Sequence, residues 1–152
     1  MRNVALCITL LIGSQCTPAL AQEPRCVEPR DACAFFNQYL AAFNAREWEA
    51  FRATFDDSIT VMFDRPAPPQ RMDGRAAVEA MFRRVFPPIG APSRQLPPPI
   101  VPAHLRAQDL GDVVVVSFEI IGDDAVSRRT VILHHGANGW RVVHIHGSSG
   151  PA

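Results

Sequence analysis

The chain has 152 residues, with 15 basic against 15 acidic side chains and a formal net charge of zero. That balance leaves no electrostatic footprint for nucleic acid or an anionic membrane surface. The basic residues are all arginine, so Schiff-base chemistry and a lysine general base are excluded.

Met1-Arg2-Asn3 is a short basic start, and Val4 to Gly13 is a mostly apolar run. The run is too short to cross a bilayer as a helix. Ala19-Leu20-Ala21 follows with the small-x-small pattern of a cleavage site, so residues 1–21 read as a secretory signal cut after Ala21. A short membrane anchor is the competing reading, and the length of the run argues against it. The expected location is periplasmic or secreted. Without the signal, fourteen arginines face fifteen acidic residues and the net charge is −1. A mature chain of roughly 130 residues is near the commonest size for one domain.

Residues 22–30 form a polar arm. Cys26 and Cys33 are the cysteines that remain after the signal. In an oxidising compartment such a pair reads as a disulfide, with free thiols or a metal site as the alternatives. Two cysteines without a nearby histidine fall short of a zinc ligand set. Asp31 is placed to cap a first helix, in which Phe35, Phe36, Tyr39, Leu40 and Phe43 recur at helical spacing. Asn44, with Glu47 three residues on, reads as the capping box of a second helix carrying Trp48, Phe51 and Phe55. Ile59 to Phe63 is β-branched and aromatic and reads as a strand. After a loop over Pro66 to Gln70, Asp73 is placed to cap a third helix with Val78, Met81, Phe82 and Val85 as its apolar face. Pro87-Pro88 stops it, and the proline-rich stretch to Pro102 cannot be a central strand.

Strands are expected over Ala103 to Leu110 and Val113 to Ile121, with tight turns at Gly111-Asp112 and Gly122-Asp123-Asp124. The chain closes on a hairpin around Asn138-Gly139, where a type I′ turn needs φ > 0 at both central residues. Three helices interleaved with and followed by four or five antiparallel strands make an α+β domain over residues 31–152.

The closing Gly139-Trp-Arg-Val-Val-His-Ile-His-Gly-Ser-Ser-Gly-Pro151 and this order of elements resemble the nuclear transport factor 2-like superfamily. Those are cone-shaped α+β domains that include ketosteroid isomerase and polyketide cyclases. The ending is most similar to the association (hub) domain of calcium/calmodulin-dependent protein kinase II and its bacterial relatives. The resemblance implies a pocket between the helices and the concave face of a curved sheet. In the hub domains that pocket is lined by arginines, a histidine and an aromatic side chain. The arginine that follows the second histidine of His-x-His in those relatives is Gly147 here. The arginine of the long strand falls near Glu119, the third-helix histidine near Val78 and the aromatic on Phe86. A more apolar pocket is therefore expected. A shared fold does not fix an activity.

Strand alternation divides the closing hairpin into two faces. Arg141, Val143 and Ile145 share one with Arg128, Thr130 and His134. Trp140, Val142, His144 and His146 share the other with Arg129, Val131, Leu133 and His135. If the hub pattern holds, the Arg141 face is concave, while His144 and His146 look outward toward a subunit interface. This division weakens a metal site despite four histidines in one hairpin, since no three of them gather. The expected ligand-binding set is Phe43, Phe63, Phe82, Phe86, Glu119, Arg128, Thr130, His134 and Arg141. For a general base the candidates are Glu119, Asp64 and His134, with Tyr39 as a phenolic donor. No phosphate loop, nucleophile elbow or dinucleotide fingerprint is present in the sequence. The preferred function is an exported module that binds a small apolar molecule, as a homodimer or larger homo-oligomer, without metal or cofactor and without nucleic-acid or membrane partners. The alternative is a small isomerase, cyclase or hydro-lyase.

Overall fold

The computed structural model describes residues 26–64, 70–84, 86 and 98–151. The segment read as a signal, the start of the polar arm and most of the proline-rich stretch lie outside these residues. Three helices, α1 (Arg30–Asn44), α2 (Trp48–Ala53) and α3 (Arg75–Phe82), accompany six strands. The strands are β1 (Phe55–Phe63), β2 (Arg71–Asp73), β3 (Ala103–Asp109), β4 (Val113–Ile121), β5 (Ala125–Gly136) and β6 (Gly139–Pro151). They form one sheet in the order β2-β1-β6-β5-β4-β3. All neighbours are antiparallel except β1 and β6, which run parallel; between them the chain passes through α3 and four strands. This α+β sheet with helices against one face bears out the expected fold. It adds the short β2 and the parallel pair to the antiparallel strands expected.

The core is an aromatic cluster held between the helices and the sheet. Phe51 of α2 is fully buried at its centre, with ring centroids 4.9 Å from Phe55, 5.1 Å from Phe82 and Phe86, and 5.3 Å from Tyr39 and Phe43. Edge-to-face and offset pairs at these distances add roughly 0.5–1.5 kcal/mol each beyond burial. The sheet contributes Val114, Val116, Val131, Leu133 and Val142, all buried from the inner face.

Three helix boundaries differ from expectation, two of them because a polar side chain is used elsewhere. Pro29 precedes α1, and Asp31 lies within its first turn, where its charge favours the helix dipole without capping. Asn44 ends α1 instead of opening α2. Its amide donates to the Ile100 carbonyl at 2.9 Å and its Oδ1 accepts from the Ile100 amide at 2.8 Å, pinning the strand-free segment before β3. Asp73 ends β2 and pairs with Arg71, leaving Gly74 at the start of α3. The closing turn also differs. Gly136 pairs with Gly139 across Ala137–Asn138, and only Gly139 has positive φ (77°). That places one left-handed residue, not two, at the hairpin end.

Cys26 and Cys33 are joined by a disulfide that ties the residues before α1 to its first turns. A loop with a sequence separation of 7 closed in this way is worth about 2–3 kcal/mol on loop entropy. Replacing both cysteines by serine is expected to lower the melting temperature by roughly 10 °C, measured by circular dichroism; an unchanged midpoint overturns this.

Candidate functional site

One feature of β6 decides which side chains meet the helices. From Gly139 to Val142 the strand pairs in step with β5, with His135 opposite Trp140 and Leu133 opposite Val142. Val143 is then bulged out, and the next pairs are Ile132 with His144 and Val131 with Ile145. A single extra residue turns every later side chain to the other face. Beyond the bulge Ile145, Gly147 and Ser149 therefore point inward, opposite Val131, Arg129 and Ser127.

These residues floor a cavity of about 570 Å³ between the sheet and the helices. Tyr39, Leu40 and Phe43 wall it from α1, and Met81 and Phe82 from α3. Phe118 and Ile120 of β4, Phe63 of β1, and Pro98 and Ile100 of the pinned segment complete the apolar lining. Asp64 and Arg84 stand exposed at its edge.

Of the expected ligand and catalytic residues, Tyr39, Phe43, Phe63, Asp64 and Phe82 line this cavity. Glu119, Arg128, Thr130, His134 and Arg141 do not. They lie on the outer face of the sheet, because Glu119 alternates with the inward Phe118 and the bulge breaks the two-residue period in β6. Glu119 there accepts from His104 Nδ1 at 2.7 Å and lies 3.6 Å from Arg128 Nε, a surface cluster. Phe86 is buried in the core, stacked on Phe51, and does not line the cavity. His144 and His146 do look outward; His144 Nδ1 shares a 2.6 Å hydrogen bond with Thr60 Oγ1. His144 loses basicity mainly through burial, with His146 and Arg71 adding to it. No group of three or more metal-binding side chains gathers among the described residues.

Sequence reasoning missed Arg129. A signal for it existed: the tight Gly122-Asp123-Asp124 turn pairs Phe118 with Arg129 and Glu119 with Arg128. Since Phe118 must face the core, Arg129 must follow it inward. Its guanidinium lies 5.5 Å from the Phe63 ring centroid, a cation–π contact. Burial draws Arg129 below the ordinary arginine range, with Tyr39 acting against that shift. Burial likewise holds the Tyr39 phenol far above its usual value, so it is a neutral donor at physiological pH. The pocket is mostly apolar, and the cation it holds is Arg129, not the expected Arg128 or Arg141.

Gly147 makes room for it. A Cβ added there would stand 2.7 Å from both Arg129 Nη1 and Phe63 Cδ1. Any side chain at Gly147 must displace the half-buried Phe63 ring or the guanidinium.

The architecture and this cavity define a nuclear transport factor 2-like, cystatin-like fold. A family model described as a SnoaL-like domain matches residues 33–152, and the chain belongs to that family. Among solved structures, a Thiobacillus denitrificans protein named for the calcium/calmodulin-dependent protein kinase type II association domain is similar at 27% identity and TM-score 0.52, covering 78% of this chain and 93% of that one. A Streptomyces avermitilis protein of the NTF2-like family, named as a dehydratase, shares 14% identity at TM-score 0.60, covering 80% and 95%. A Parabacteroides distasonis protein named as a ketosteroid isomerase shares 12% at TM-score 0.58, covering 83% and 92%. At such identities the last two show the fold alone. No curated protein matches the chain.

Two outcomes follow. Gly147→Ala is expected to cost about 1–3 kcal/mol in urea unfolding, and a loss below ~0.5 kcal/mol overturns the crowding argument. Tyr39, the only tyrosine, has its folded pKa raised by burial well above the ordinary phenol value of about 10. The unfolded chain then loses this proton first, so stability is full below pH 10 and falls above it by about 1.4 kcal/mol per pH unit. Ultraviolet titration checks the shift, and Tyr39→Phe should flatten the alkaline loss; a normal phenol titration in the folded protein contradicts it.

Proposed function

We propose that the chain is an exported binding module that holds a small, largely apolar molecule in the cavity between the helices and the sheet. The observation that carries this is the cavity itself. Its volume is within the range of small-ligand sites, and aromatic and aliphatic walls surround a few polar groups. Glu119 and His134, two of the three candidate bases, stand outside it. Export is supported by the leader-like segment over residues 1–21 and the Cys26–Cys33 disulfide. Among the described residues no helix is long and apolar enough to cross a membrane.

A second reading has one observation in its favour. Asp64 and Tyr39 line the same cavity, a carboxylate and a neutral phenolic donor, which is the minimum for proton abstraction beside a carbonyl. Family neighbours named as a dehydratase and a ketosteroid isomerase make isomerase or hydro-lyase chemistry the alternative.

A homodimer belongs to the same proposal. The outer face of the sheet carries half-buried Val115 and Ile132 opposite one another, with Thr130, His144 and His146 beside them. Ile132→Arg is expected to shift a dimer to monomer in sedimentation velocity.

Native mass spectrometry of protein from its natural host tests the binding reading; a bound small molecule of apolar character is the expected result. Asp64→Asn should leave affinity for that molecule within about threefold. Turnover of a ketone substrate that Asp64→Asn abolishes would instead establish the enzyme.

A further inference from the structure

The cavity has one strongly polar corner, and its hydrogen-bonding capacity is half spent. Arg129 Nη1 donates to the Arg128 carbonyl at 3.0 Å and the Ser148 carbonyl at 3.4 Å. Among the described residues no carboxylate lies within ion-pairing distance of this guanidinium, and its Nε and Nη2 have no partner. Those two nitrogens form one planar edge, the geometry that meets a carboxylate with two parallel hydrogen bonds. Tyr39 is close enough to interact electrostatically with Arg129. Its hydroxyl makes no hydrogen bond to a described residue. Two donors therefore stand unspent in a cavity whose other walls are mostly hydrocarbon.

Charge balance narrows what satisfies them. A half-buried cation without a counter-ion is costly, and a bound anion that supplies one recovers that cost. The titratable groups lining the cavity are Tyr39, Asp64, Arg84 and Arg129. Asp64 and Arg84 are exposed, of opposite sign, and offset one another at the edge. The interior is left with one positive charge. A monoanion neutralises it, whereas a dianion leaves a surplus negative charge against aromatic walls.

We propose that the Arg129–Tyr39 end of the cavity is an anion subsite, and that the ligand is an amphipathic monocarboxylate with its apolar body among Phe43, Phe82 and Phe118. The cation here comes from β5, and the bare Gly147 on β6 gives it space. This inference rests on the cavity being a ligand site.

Three probes share one body and differ in head group: 2-naphthylacetate, 2-naphthylethanol and 2-naphthylmethyl phosphate. Calorimetric titration of the full chain is expected to give the acetate about tenfold tighter binding than the alcohol, with the phosphate weaker than the acetate. Arg129→Gln should bring acetate and alcohol within about threefold of each other, and Tyr39→Phe should weaken the acetate alone by a few-fold. Equal binding of acetate and alcohol by the wild type overturns the anion subsite and leaves the apolar cavity reading standing. Tighter phosphate than acetate overturns the carboxylate assignment. Failure of all three to bind overturns both readings. If Arg129→Gln does not fold, the wild-type head-group comparison decides alone.

Discussion

The bulge at Val143 is the constraint on which the rest of the structure depends. Before it, Val142 of β6 faces the core beside Leu133; after it, Ile145 does so beside Val131. Without the extra residue, the second half of β6 would present His144 and His146 to the aromatic core and Ile145 to the outside. Burying two imidazoles without partners costs several kcal/mol, so the slip and the hydrophobic pattern enforce each other. The same slip brings Gly147 under Arg129 and so creates the polar corner of the cavity.

The cavity survives because the core is built around Phe51, not across the whole sheet. α2 is short and delivers that one ring to a point where Phe43, Phe55, Phe82 and Phe86 already meet. The aromatic mass is concentrated there, while the cavity opens over the Phe118 and Ile120 end of β4. The Asn44–Ile100 pair of hydrogen bonds holds the segment before β3 at the edge of that opening.

Much of the fold was legible in the sequence because it rests on local chemistry. The β-branched run of β4 and its flanking Gly-Asp turns gave that strand's limits as Val113 and Ile121, as observed. Helix caps were less legible. Asn44 and Asp73 carry the right side chains for capping, but other partners claim them: Ile100, far along the chain, takes Asn44, and Arg71 on the same strand takes Asp73. The site was legible on the helices and half lost on the sheet. Phe43, Phe82 and Tyr39 follow from helical spacing alone. On β5 and β6 the register was carried from the hairpin turn across the bulge, where no residue type announces a slip. Had it been carried from the β4–β5 turn, Arg129 would have replaced Arg128 in the expected set.

Gly147 also bears on where such a pocket can carry its charge. The cation at this end of the cavity stands on β5, where a side chain at position 147 of β6 would meet it. A chain with arginine at both places would force two guanidiniums and the Phe63 ring into one volume, with like charges in contact. Arginine at position 147 therefore requires the loss of the one at 129, and a cation reaches this end of the cavity from one strand or the other, not from both.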